Sequence, residues 1–159
     1  MKIFFYILTC ISIQLTALAE NNIGVIIPLS GNFARYGQQI QQSLQETKST
    51  SIKYIYEDEG CHPRKAITAY KKLTVINGIK IFIGPFCGSP QTAVAPMLPI
   101  NKQIAILGSS APRKVFQSSG GRMFSTQPSI EEESAFNAKQ AYKMGSRKVV
   151  ILFFENNFS

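Results

Sequence analysis

The sequence predicts an α/β domain built on a doubly wound, mostly parallel sheet flanked by helices, and three observations predict it. Short runs that are nearly all apolar recur at residues 23–27, 52–56, 79–83, Ile104–Leu107, Met123–Ser125 and 148–154. Strands of that kind, without polar alternation, belong to parallel sheets covered on both faces. Helix-length stretches at residues 33–48, 64–76, 90–98 and 130–144 separate most of them, as βα alternation requires, and right-handed crossovers fix the winding. The turns after the first, third and fourth runs are rich in Gly, Ser and Pro. They gather at the C-terminal edge of the sheet, where small ligands bind in open α/β folds.

The elements follow in order. Residues 1–19 carry Lys2, an apolar stretch over 3–13 and Ala17-Leu18-Ala19, the pattern of an export signal cleaved before Glu20. The apolar run is too short for a membrane anchor, and Gln14 and Thr16 interrupt it. Cys10 lies inside that run and leaves with the signal. The strand at 23–27 ends in Pro28, and Ser30, Gly31 and Asn32 turn the chain into a helix that starts near Phe33. Gly78 suits the C′ position after the helix ending near Ile76, and Gly145 does the same after the helix over 130–144. That last helix opens with Ser129 and Glu132 in a capping-box pattern, and Glu131 to Glu133 favour its dipole, so the acidic run reads as a helix start. Residues 118–121 form a surface loop. The chain stops shortly after the run at 148–154 with no following helix, so the expected reading is the front part of a longer protein.

Charge and cysteines narrow the function. The net charge of +8 comes from 17 basic and 9 acidic residues, with the basic ones scattered as singles and pairs and not interleaved with aromatics. This pattern excludes a dedicated nucleic-acid surface. Cys61 and Cys87 remain after export, and an even pair in an oxidising compartment is most simply a disulfide, which in the chain-entropy model contributes on the order of 3 kcal/mol. The rival reading is a metal or redox site from Glu57, Asp58, Glu59, Cys61 and His62, whose spacing matches no standard zinc pattern. An enzyme fails on inventory, since His62 is the sole histidine and no nucleophile elbow, P-loop or dinucleotide fingerprint is present. No cofactor is expected.

Binding residues are read from the loops at the sheet edge. Ser89 followed by Pro90 makes an N-cap and N1 pair, so the helix beginning there would turn amides and its positive dipole end toward a carboxylate. Ser109 and Ser110 add hydroxyls, and Tyr36 supplies a wall with a polar tip. For any one of these serines a turn or cap role also suffices.

The stretches IGVIIPLSGNFARYGQ, YEDEGCHPRKA, GIKIFIGPFCGSPQTAVAP, AILGSSAPR and FSTQPS, in this order, resemble the first lobe of type I periplasmic solute-binding proteins, in particular the leucine/isoleucine/valine-binding proteins of ABC importers. The resemblance covers residues 23–159. It implies a periplasmic receptor that hands an amino acid or similar small polar carboxylate to a membrane permease, with a second lobe absent from this chain. A ligand-sensing or regulatory protein of the same fold is the alternative. The resemblance pairs Cys61 with Cys87 and places Tyr36, Gly88, Ser89, Ser109, Ser110 and Phe158 at the ligand. Gly88 stands where amino-acid binders commonly have Ser, and Phe158 where they often have Tyr. In such proteins the second lobe supplies the acid that meets the ligand ammonium.

Overall fold

The computed structural model describes residues 21–47 and 51–152. The expected export signal and Phe158 lie outside the described residues. Five strands, β1 (Asn21–Ile27), β2 (Ile52–Asp58), β3 (Ile81–Ile83), β4 (Ile104–Leu107) and β5 (Met123–Ser125), form one sheet in the order β2-β1-β3-β4-β5. Every pairing is parallel. The helices are α1 (Ala34–Glu46), α2 (Pro63–Val75), α3 (Gly88–Val94), α4 (Arg113–Ser118) and α5 (Ile130–Lys143). A 3₁₀ turn at Ala95–Met97 extends α3. No helix among the described residues is long and apolar enough to cross a membrane.

One face of the sheet carries the core. Ile26, Phe82, Ala105, Leu107 and Met123 pack with Ala66, Ala69, Tyr70 and Leu73 of α2, with Val94 of α3 and with Val115 of α4. A buried amide anchors the far end: Gln103 Nε2 donates to Ile79 O (2.7 Å) and Thr74 Oγ1 (3.0 Å), and its Oε1 accepts from the Tyr70 hydroxyl. The other face is closed only at β1, where Val25 and Ile27 alternate with Ile26 and are fully buried. Farther along it, Ile81, Ile104, Ile106 and Phe124 are exposed, so the expectation of a sheet covered on both faces holds for the first strands and not for β3 to β5.

Other departures from expectation have local causes. Helix α4 lies between β4 and β5 where no helix was expected, because six residues after Pro112 are too few to show a helical period. Strand β3 is three residues long and not five, since Ile79 N is drawn away to Leu73 O. The strand expected at 148–154 does not form within the described part, 148–152, where Val149 to Leu152 are 71–93% exposed. Helix α5, which would make the crossover to it, buries no residue. The start of α5 is as expected, with Ser129 and Glu132 forming a complete capping box. Gly78 and Gly145 both take the left-handed conformation of a helix terminator.

Two glycines let backbone approach backbone beside the site. Gly37 is buried in α1, and a Cβ there would lie 1.9 Å from Pro28 O. Gly84 has φ +93°, and a Cβ there would meet Ile26 O at 2.1 Å. In both cases the obstacle is backbone, which cannot swing aside. Gly37→Ala should therefore lower stability by about 1–3 kcal/mol in urea unfolding. Gly108→Ala, where a Cβ meets nothing within 4 Å, should leave it unchanged.

Candidate functional site

The sheet order reverses between β1 and β3, so the connections leaving these strands run in opposite directions and open a crevice above their C-terminal ends. A pocket of about 380 Å³ occupies it. Phe33 lines it from the turn after β1, Cys61 from the turn after β2, Phe86 to Ser89 from the turn after β3, and Ser109 and Ser110 from the turn after β4. None of these side chains is cationic.

Two consecutive acids at the end of β2 hold these turns. Asp58 Oδ1 accepts from Leu29 N (2.8 Å), Ser30 N (3.1 Å) and Gly60 N (2.9 Å), and Oδ2 accepts from Ser30 Oγ (2.5 Å). Partial burial opposes its ionisation, but the bonds from Ser30, Leu29 and Gly60 outweigh it and hold the carboxyl below its usual range. Glu59 is fully buried and reaches the turn after β3, accepting from Cys87 N (2.8 Å) and Phe86 N (3.3 Å). Burial pushes its pKa up to about 8, against the pull of those two amides and with a smaller push from Asp58. Cys61 and Cys87 are joined in a disulfide beside it, with Cα atoms 5.2 Å apart. The set once weighed as a metal site is thus committed elsewhere: Glu57 pairs with Lys72 Nζ at 2.6 Å, and the sulfur atoms near Glu59 belong to the disulfide.

Gln91 of α3 locks the turns after β3 and β4 together. Its Nε2 donates to Ser109 Oγ (2.9 Å), Phe86 O (3.1 Å) and Pro85 O (3.3 Å), and Ser109 Oγ donates in turn to Phe86 O (2.9 Å). The helix itself starts earlier than expected. Cys87 holds the N-cap position and α3 begins at Gly88, so Ser89 and Pro90 lie inside the first turn and do not cap it. The reason is the anchoring of Cys87 by Glu59 and Cys61, which turns the chain before Ser89 is reached. Ser89 Oγ instead donates to Cys61 O at 3.5 Å.

Of the residues singled out in the sequence, Gly88, Ser89, Ser109 and Ser110 come together on the pocket wall. Tyr36 stands at the rim, 52% exposed, its ring stacked on Phe86 (centroids 5.9 Å apart) and tilted against Phe33 (6.2 Å). Sequence reasoning missed Phe33, Phe86, Gln91 and Glu133, whose Oε2 accepts from Ser110 Oγ at 3.3 Å. The two phenylalanines did leave a signal, as large aromatics inside turns otherwise made of small residues.

No family model matches the chain, and no curated protein matches it. Solved structures do. A solute-binding protein of an ABC transporter from Rhodopseudomonas palustris, in complex with 4-hydroxybenzoate, superposes with a TM-score of 0.68 at 21% identity over 78% of this chain and 36% of its own. A leucine-binding protein from Thermotoga maritima gives 0.68 at 22% identity, covering 77% and 37%. Another R. palustris solute-binding protein, in complex with benzoate, gives 0.69 at 18% identity, covering 80% and 38%. The fold is that of a lobe of type I periplasmic solute-binding proteins, and the chain spans little more than a third of the length of these structures.

The buried carboxyl makes stability depend on pH. Because the pKa of Glu59 is raised in the fold from 4.5 to about 8, its contribution is full below pH 4.5 and is lost as pH rises to about 8. Glu59→Gln should flatten that decline in chemical-denaturation series between pH 5 and pH 8, with differences on the order of 1 kcal/mol per pH unit in the wild type.

Proposed function

We propose that the chain is the solute-binding lobe of an exported receptor that serves an ABC importer, holding an amino acid or similar small carboxylate in the pocket above β1, β3 and β4. The observation that carries this reading is the pocket itself, formed where four strand-end turns meet at the reversal of strand order. Its volume suits a small solute. The backbone amides of Gly88 and Ser89 have no protein acceptor among the described residues and can serve a carboxylate. Ser109 and Ser110 offer hydroxyl oxygens, and the rings of Phe33, Tyr36 and Phe86 offer apolar area. Phe158 joins this set by the resemblance alone.

The chemistry required is binding and release. An importer receptor delivers its solute unchanged. The structural neighbours, described as solute-binding proteins and a leucine-binding protein, support the same reading. Transport further requires export, for which residues 1–19 have the composition.

Two measurements check the proposal. Amide chemical shifts followed during titration with amino acids and with small carboxylic acids should move at Gly88, Ser89, Ser109 and Ser110. Ser110→Ala should weaken the binding by about five- to thirty-fold through loss of one hydrogen bond, and Tyr36→Ala by at least as much. Shifts confined to another surface would place the ligand elsewhere. Mass spectrometry of the exported protein should find Glu20 at the N-terminus, and a retained Met1 would overturn the assignment of residues 1–19.

A further inference from the structure

The pocket stands at the C-terminal edge of the sheet, and the opposite edge has a chemistry of its own. Three turns meet there, those that lead into β3, β4 and β5. Gln103 Nε2 bonds to Thr74 Oγ1 and Ile79 O, Ile104 N donates to Lys80 O (3.0 Å), and Ala105 N donates to Arg122 O (2.9 Å). Asn101 Nδ2 adds a bond to the Tyr70 hydroxyl at 3.0 Å. The turns are thus pinned to one another and to α2, and none of their residues lines the pocket.

Their solvent side is apolar. Val75, Ile76 and Ile100 are 80%, 74% and 79% exposed. Single apolar side chains on a surface are ordinary, but these three sit on two turns that Gln103 holds together. Cations accompany them. Lys71 lies near the end of α2, and Lys80, Lys102 and Arg122 immediately precede the residues that open or anchor β3, β4 and β5. The register sets Ile81 beside Ile104 and Ala105 beside Met123, so at a strand spacing of about 4.8 Å the three strand starts span about 10 Å. None of these four cations pairs with an acid among the described residues. Lys102 takes φ +53°, a conformation that glycine adopts at least cost, so the turn itself does not call for a lysine.

The acids lie elsewhere. Asp58 and Glu59 finish β2 and Glu131 to Glu133 open α5, all at the pocket edge, while Glu57 pairs with Lys72. Glu46 ends α1 just before β2, at the other side of the sheet from β4 and β5. The positive charge that reads as scattered in the sequence is gathered by the fold.

We propose that this edge is a docking surface for an anionic phospholipid bilayer, with Val75, Ile76 and Ile100 entering the headgroup layer and Lys71, Lys80, Lys102 and Arg122 meeting lipid phosphates. Exposed aliphatic side chains among unpaired cations suit an interface that has acyl chains beneath an anionic surface. A soluble polyanion would engage the cations and leave the aliphatic side chains in water. The turns are already fixed by hydrogen bonds, so docking has little chain to order. Held this way, the protein turns its pocket to the aqueous side. The inference is independent of which solute the pocket holds.

The test compares vesicles of phosphatidylcholine alone with vesicles of phosphatidylcholine and phosphatidylglycerol, each carrying a paramagnetic headgroup probe. Sedimentation gives the affinity of the exported protein, and broadening of its amide signals gives the surface that touches lipid. The anionic vesicles should bind about five-fold or more tightly than the neutral ones, with broadening at residues 75–80 and 99–102 and none at Gly88, Ser89 and Ser109. Lys80→Glu with Lys102→Glu should weaken binding about ten-fold or more, whereas the same charge change at the pocket edge, Arg64→Glu with Lys114→Glu, should cost about three-fold at most. Ile76→Ser with Ile100→Ser keeps every charge and should weaken binding about five-fold or more. All these side chains are exposed, and circular dichroism checks that each variant keeps the fold. Equal affinity for the two vesicles, or broadening centred on another surface such as residues 149–152, would overturn the proposal. So would a serine variant that binds like the native chain, since the surface would then be one for soluble polyanions.

Discussion

The architecture of this site depends on two adjacent carboxyl groups at the end of β2. Parallel strands leave their C-terminal turns without ladder partners, so amides there need acceptors from elsewhere. Asp58 supplies them to the turn after β1, at Leu29 and Ser30, and Glu59 supplies them to the turn after β3, at Phe86 and Cys87. Since β1 lies between β2 and β3, the pair spans the crevice from one side to the other. These turns are positioned through them, and the Cys61–Cys87 disulfide fastens the turn after β2 to the turn after β3 covalently.

The pair also shows how environment separates chemically similar groups. Asp58 is partly exposed and surrounded by four donors, so its charge is favoured in spite of some desolvation. Glu59 has two donors and no solvent, and desolvation wins. Lys65 approaches Asp58 at 3.5 Å, yet it is largely solvated and such surface pairs contribute little. The rigidity of the turns comes from the buried hydrogen bonds and not from the visible ion pair.

Much of this was legible in the sequence, and the reason is the pleat. Runs such as GVII and IAIL, apolar on successive residues, read as strands of a parallel sheet or pieces of buried helix, and the glycine and serine turns between them decide for strands. The same turns gave four of the pocket residues, because Gly and Ser in a strand-end loop signal open space. Gln91 and Glu133 were not legible. Each lies on a helix, and its role depends on which hydroxyl a neighbouring turn brings near, a tertiary fact with no local pattern. Glu133 was also concealed by its neighbours, since Glu131 and Glu132 do what an acidic helix start predicts.

The strand that the sequence favours at 148–154 is the instructive miss. Val149 to Leu152 have strong strand preference, but preference for an extended backbone does not supply a partner. Pairing with β5 would require the chain to return to that edge, and α5, which makes the return, buries none of its residues. The exposed side chains of Ile106 and Phe124 mark the same gap from the sheet side. Where a helix buries its stripe, as α2 does with Ala66, Ala69, Tyr70 and Leu73, the strands on either side of it are in register. Yet α1 buries only Gly37, and β2 still pairs with β1 along seven residues, so a seated helix favours the next strand without being its condition, and an edge already offering a long partner strand can do the rest.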